Sequence, residues 1–297
     1  MKLTINTIIA VIILLSANLS HSQSLQWTYL HNNPNWNASV GKQGVADISG
    51  NVYVAGYNFS GSPMSRNYFL HKISPAGSLI WDVTFNGQQN LDDESSSVAL
   101  DNSGNVYVTG YTLDTVNHGK DITTIKYDSN GNLLWSRSYN GPGNFDDAGV
   151  KVQTDSFGNV YVGGTSYGSG SQTDYVVIKY NSNGSVQWIQ RYNGSGNSYD
   201  EMRDMKLDAA GNVYATGSSI GISTGQDYGT IKLASSTGTQ LWEARYHNAA
   251  GGSFNPDEAA AIDVDSNGDV YVTGKSNNPG SGYDILTQKY SSAGAQL

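Results

Sequence analysis

Apolar and polar positions alternate along this chain in short runs, each bounded by a turn that contains glycine. From Asn105 to Thr109, Val106 and Val108 flank Tyr107. Ile122 to Tyr127 and Leu133 to Tyr139 are similar runs, and Ser97 to Leu100 comes before them. Period-two patterns rich in β-branched and aromatic residues predict strands. Asp101-Asn102-Ser103-Gly104 and Asp128-Ser129-Asn130-Gly131 read as tight turns. Their Gly supplies a positive φ, and their Asp can bond to the local backbone. A longer polar loop, Tyr111 to Lys120, separates the second and third strands. One stretch of chain thus predicts four short strands, and no run of about ten residues carries a helical period.

That stretch recurs. Gly50-Asn51-Val52-Tyr53-Val54-Ala55-Gly56 returns at Gly104, Gly158, Gly211 and Gly268, at intervals of 54, 54, 53 and 57 residues. Trp81, Trp135, Trp188 and Trp242 keep the same register. So does Ile-Lys-Tyr at Ile125 to Tyr127 and Ile178 to Tyr180, with substituted forms near Lys72, Lys232 and Lys289. Three phrases in one register define a repeat architecture. Four antiparallel strands per unit, repeated radially, predict an all-β fold, a β-propeller of four-stranded blades. The repeated Trp and Val are expected to pack between sheets.

The ends refine the count. The chain ends at Ala293-Gly294-Ala295-Gln296-Leu297, one residue before a Trp is due, and Ser24-Leu25-Gln26-Trp27 supplies that piece. The expectation is five blades closed by the N-terminal strand, which leaves no sheet edge open. The alternative is a natural chain that continues past Leu297 with more blades or a sorting domain. Before this, Lys2, an apolar run from Ile8 to Leu15 and the small polar stretch to Ser22 predict a signal peptide over residues 1–22. A buried first strand is the other reading of that run. Residues 23–297 would then form one exported propeller domain, secreted, periplasmic or on the cell surface, with no membrane span.

Composition narrows the chemistry. Among 297 residues there is no Cys, which excludes disulfides and thiolate sites. An exported chain without Cys points to a bacterial host. The formal charge of -9 argues against a nucleic-acid partner. Acids recur in two sets. Asp93, Asp147, Asp200 and Asp257 precede the first strand, and Asp121, Asp174, Asp227 and Asp284 precede the third; the first unit has Ser39 and Asn67 instead. Both sets are expected on one rim of the central channel. They are read as loop caps, with a Ca²⁺ site at the channel mouth as the alternative. Asp263, Asp265, Asn267 and Asp269 resemble half of a calcium loop, but position twelve is Gly274 rather than Glu. A hairpin is therefore the first reading there. The loops between strands two and three vary most, and Tyr57, Phe59, Tyr111, His118, Tyr167 and Ile220 are the candidate binding residues.

Asp101 to Gly110, Asp121 to Trp135 and Tyr139 to Gly141 together resemble the SBBP bacterial β-propeller repeat. The resemblance implies an exported or surface-associated propeller and transfers no catalytic residue. The histidines fall at unrelated repeat positions, and no nucleophile motif stands in credible context. Identical acids repeated in register look structural rather than catalytic. The function expected is a non-enzymatic scaffold, monomeric unless part of a surface assembly, binding an extracellular protein or glycan, with calcium as an optional stabiliser. The alternatives are a lectin-like propeller with several equivalent sugar sites and a polysaccharide hydrolase or lyase with an acidic site at the channel mouth.

Overall fold

The computed structural model describes residues 27–30, 38–60, 65–87, 90–114, 119–249 and 256–297. The leader, Ser24 to Gln26 and His118 lie outside them. The first sheet holds β1 (Ser39–Ala46), β2 (Val52–Ser60), β3 (Ser65–Ile73) and β4 (Leu79–Phe85). The second holds β5 (Asp93–Leu100), β6 (Val106–Asp114), β7 (Gly119–Tyr127) and β8 (Leu133–Tyr139). The third holds β9 (Asp147–Thr154), β10 (Val160–Tyr167), β11 (Thr173–Tyr180) and β12 (Val186–Tyr192). The fourth holds β13 (Asp200–Leu207), β14 (Val213–Gly221), β15 (Gly225–Leu233) and β16 (Gln240–Tyr246). The fifth holds β17 (Glu258–Val264), β18 (Val270–Asn278) and β19 (Gly282–Tyr290). Every pairing is between sequence neighbours and antiparallel. This is the all-β propeller that the repeat predicts. The repeated Trp81, Trp135, Trp188 and Trp242 each lie inside the fourth strand of their sheet.

The first strands of successive sheets touch one another, so they line the axis of the array. Each first strand is bulged where it pairs with the second. The bulge accounts for the second Gly of the repeated phrase. A Cβ on Gly110 would stand 2.0 Å from the Glu94 carbonyl oxygen, and one on Gly217 2.0 Å from that of Glu201. The first Gly serves the turn, with φ of 77° at Gly104 and Gly158.

The core is not central but lies between sheets, as four clusters that each join one sheet to the next. Every joint repeats the same chemistry. Trp135 lies on the turn glycine Gly184, where a Cβ would meet its ring at 2.9 Å. Its indole N–H donates to the Ser182 carbonyl at 3.2 Å, and the Lys126 ammonium donates to the same oxygen at 3.0 Å. That ammonium also stands 5.1 Å from the centre of the Tyr107 ring. Tyr107 in turn donates its hydroxyl to the turn carboxylate of Asp101 at 2.9 Å. Trp81 with Lys72, Trp188 with Lys179 and Trp242 with Lys232 repeat the arrangement on Ser129, Ser235 and Ser292. Burying so large an aromatic at each joint is worth roughly 3–5 kcal/mol.

Trp27 lies on Gly77 as Trp81, Trp135, Trp188 and Trp242 lie on their glycines, with Cγ 2.8 Å from where a Cβ would be. Among the described residues no helix is long and apolar enough to cross a membrane.

Candidate functional site: the acidic and aromatic rim

In the second to fifth sheets a buried carboxylate stands at the start of the first strand or directly before it. Asp93, Asp147, Asp200 and Asp257 are fully buried. Asp93 accepts from the Gly87 amide at 2.5 Å, Asp147 from Gly141 and Tyr167, Asp200 from Gly194 at 2.6 Å and Asp257 from Asn248 at 2.8 Å. They tie the incoming loop to the sheet. Burial pushes the Asp93 carboxyl up to about 6, and it also raises Asp147 and Asp200.

The second acid set lies within the third strands, and Asp121, Asp174 and Asp227 stand beside the next sheet's first acid. Asp174 pairs with Arg191 at 2.7 Å, and Asp227 with Arg245 at 2.9 Å. Each arginine also reaches the preceding sheet, through the hydroxyls of Tyr139 and Tyr192. Asp174, Asp227 and Asp284 each accept from a Ser or Thr three residues earlier, which fixes their loop. Burial, then the charges of Asp114 and Asp147, raises the Asp121 carboxyl. The two sets therefore meet at the junction of successive sheets. At the fourth junction His247 replaces the Asn of the other units, with Nδ1 3.3 Å from Asp227 and 3.9 Å from Asp257. The sequence reading overlooked Arg191 and Arg245, although an Arg-Tyr pair at the end of two fourth strands marked them.

Asp263 is paired with Lys206 at 3.0 Å and Asp269 with Lys289 at 2.7 Å. Asp265 accepts from the amides of Asn267 and Asp269 and from the Tyr271 hydroxyl. Asp101, Asp155 and Asp208 make the same bonds in their own hairpins. The Asp265 carboxylate is thus engaged in holding a turn, and Asp263 and Asp269 face lysines. Among the described residues no three His, Asp or Glu side chains converge in a way that could hold a metal ion.

Three of the candidate binding residues come together. Tyr57 and Phe59 meet edge to face at 5.6 Å, and the Arg66 guanidinium lies 5.4 and 5.9 Å from their ring centres. Arg66 also donates to the Tyr111 hydroxyl at 3.2 Å and to Glu94 at 2.9 Å, and Lys42 holds Glu94 from the other side at 2.6 Å. Burial would raise the Glu94 carboxyl, but these two cations outweigh it and hold it low. Burial and the neighbouring Glu94 push the Tyr111 phenol up to about 12. Tyr167 stands apart with Phe145, ring centres 4.9 Å apart, and Phe145 is 56% exposed. Ile220 lies further round, its carbonyl accepting from the Gly196 amide at 3.0 Å, with Ile222 exposed nearby in the chain. Phe145 was also overlooked. Its place in the repeat is taken by Leu91 and Ser198 elsewhere, and that break in the pattern was its signal.

Known proteins agree with the architecture. The SBBP family model, described as a beta-propeller repeat, matches residues 86–115 and 250–280. No curated protein matches the chain. A protein of unknown function from Dyadobacter fermentans is similar in structure, with 12% identity, TM-score 0.50, and coverage of 83% of this chain and 74% of that one. The β-propeller domain of the trilobed protease from Pyrococcus furiosus is similar at 7% identity and TM-score 0.50, covering 88% of this chain and 71% of that one. Likeness at such identities is a likeness of fold. The chain is a β-propeller that resembles the SBBP repeat family in two of its repeats.

Proposed function

We propose that this is an exported, non-enzymatic propeller that binds an extracellular protein or glycan through its rim. One observation carries the reading: the acids at the first strands are bonded into the frame, while the residues that vary from blade to blade are carried by the loops between the second and third strands. Chemistry needs unspent groups, whereas recognition needs varied exposed side chains on a rigid support. Phe145, Tyr167, Tyr57 and Phe59 offer aromatic faces suited to sugar rings or apolar side chains. Arg66, Lys42 and Glu94 offer directional polar contacts beside them. The leader expected over residues 1–22 delivers the domain outside the cell, and the propeller acts there as a monomer.

The test is a glycan array and a capture experiment with surface extracts, run with the natural protein and with Phe145→Ala and Tyr57→Ala. Binding should fall by about tenfold or more on removing a central aromatic, with the Tm of Phe145→Ala unchanged. Equal binding by all three would remove the rim from consideration. A melt in Ca²⁺ and in chelator accompanies it, and the Tm should be the same in both.

A hydrolase or lyase reading rests on His247 alone, since it breaks the repeat between two buried acids. Loss of a polysaccharide-cleaving activity in His247→Ala would establish that reading.

A further inference from the structure

The third and fourth sheets each seat an arginine on the acid of the third strand. Arg191 donates to Asp174 at 2.7 Å, to the Ser166 carbonyl at 2.8 Å and to the Tyr139 hydroxyl at 3.2 Å. Arg245 makes the same three bonds, to Asp227, the Ser219 carbonyl and the Tyr192 hydroxyl, each at 2.9 Å. A planar fork of donors fits such a set of acceptors. The first sheet has neither partner: Asn67 stands at the place of the acid and Thr84 at that of the arginine.

The second sheet keeps the acid and lacks the arginine. Ser138 lies opposite Thr123, as Arg191 lies opposite Val176 and Arg245 opposite Gly229. Arg137, one residue earlier, faces the other side of the strand and donates to the Gly184 carbonyl at 2.7 Å. Lys120 is turned to Asp146 at 4.0 Å and to the Tyr111 ring at 4.4 Å. Asp121 is only 7% exposed. Among the described residues it accepts from the Ser138 hydroxyl alone, at 3.4 Å, and its Oδ1 has no donor. Asp114 stands, by register, where the fourth sheet has Gly221, and a Cβ on Gly221 would be 3.1 Å from Nη2 of Arg245. At one spot the second sheet thus has an added carboxylate and no guanidinium. Ser138 is exposed, so solvent reaches this spot.

We propose that this place in the second sheet receives an arginine side chain from a protein partner, completing in trans the clamp that Arg191 and Arg245 form within the chain. Asp121 pairs with the guanidinium. Thr112 holds the position of Ser166 and Ser219, whose carbonyls accept the second bond. Phe85 replaces Tyr139 and Tyr192 and offers a ring where they offer a hydroxyl, which also suits a delocalised cation. Of the partners open to the rim, a protein carries guanidinium groups and a simple glycan does not. The proposal rests on reading the rim as a binding surface.

The test is a titration of the whole protein with N-acetyl-arginine amide, followed through the backbone amide resonances of Asp121 and Ser138. They should shift and saturate. N-acetyl-citrulline amide, of the same shape without the charge, should bind about tenfold or more weakly. N-acetyl-lysine amide, without the fork, should also bind more weakly. Ser138→Arg should fill the place from within the chain, abolish the shift at Asp121 and raise the Tm, and adding Asp121→Asn should remove that gain. No saturable shift, equal binding of either control amide, a shift that persists in Ser138→Arg, or a Tm no higher in that variant would each overturn the arginine site. Its failure would leave the binding losses in Phe145→Ala and Tyr57→Ala standing, so the two readings are separable.

Discussion

At the scale of single residues, the repeat is conserved within the chain wherever a group serves two neighbours. Gly184 must hold φ at +78° and leave room for the Trp135 ring, so it has two reasons to be glycine. Gly184→Ala should cost roughly 1–3 kcal/mol, read as a lower urea midpoint. The sequence showed that Trp recurs and would pack; it did not show that Lys recurs because Trp and Lys share one carbonyl. That partner is a backbone oxygen, which leaves no mark in side-chain identity. Buried acids supply a second prediction. The folded Asp93 carboxyl titrates at about 6, above its ordinary value of 3.8. Its proton is held more tightly in the folded state, so its contribution is full below pH 4 and is lost as pH rises towards 6. Asp101 has the opposite sign. Burial would raise it, but bonds from Asn105, Tyr107 and Ser103 hold it low, so its contribution is present above its ordinary value and is lost as pH falls. Asp93→Asn should therefore flatten the fall in Tm between pH 4 and 6, and Asp101→Asn should flatten the loss in stronger acid. Thermal melts across pH read both.

At the scale of strands and hairpins, the turn sequences were legible because each carries its own mechanism. Asp155 accepts from the amides of Phe157 and Asn159, and the neighbouring Gly158 has φ of 77°. Asp155→Ala removes those acceptors together with the bond to the Tyr161 hydroxyl. It should cost about 1–3 kcal/mol, checked by chemical denaturation. The alternation also placed the strands, though it could not show the bulge in every first strand. A bulge is a mismatch between two strands and has no period of its own. The rim was only partly legible. Its acids repeat and were found in both sets, and their fixed place at the loop ends follows from the register. The Tyr57, Phe59, Arg66 and Tyr111 cluster depends on unrepeated residues meeting across two sheets, and nothing in a one-dimensional pattern brings Arg66 to them.

At the scale of the whole molecule, stability is expected to follow the sheets rather than a single centre. Each four-stranded sheet between two neighbours shares clusters on both faces, while the fifth shares one described cluster. Arrays of this kind behave as units plus nearest-neighbour joints. Amide exchange should be slowest in β10 and β11 and faster in β18 and β19. The shared joint reaches further than stability. Each of the first four blades offers Trp, Lys and Tyr, and the blade after it offers a glycine turn with an accepting carbonyl. Any donor edge therefore suits any acceptor edge in the chain. Recombination between two repeats in register would remove or duplicate a whole blade without leaving a mismatched junction. Blade number can thus drift over generations, while every surviving interface keeps its chemistry.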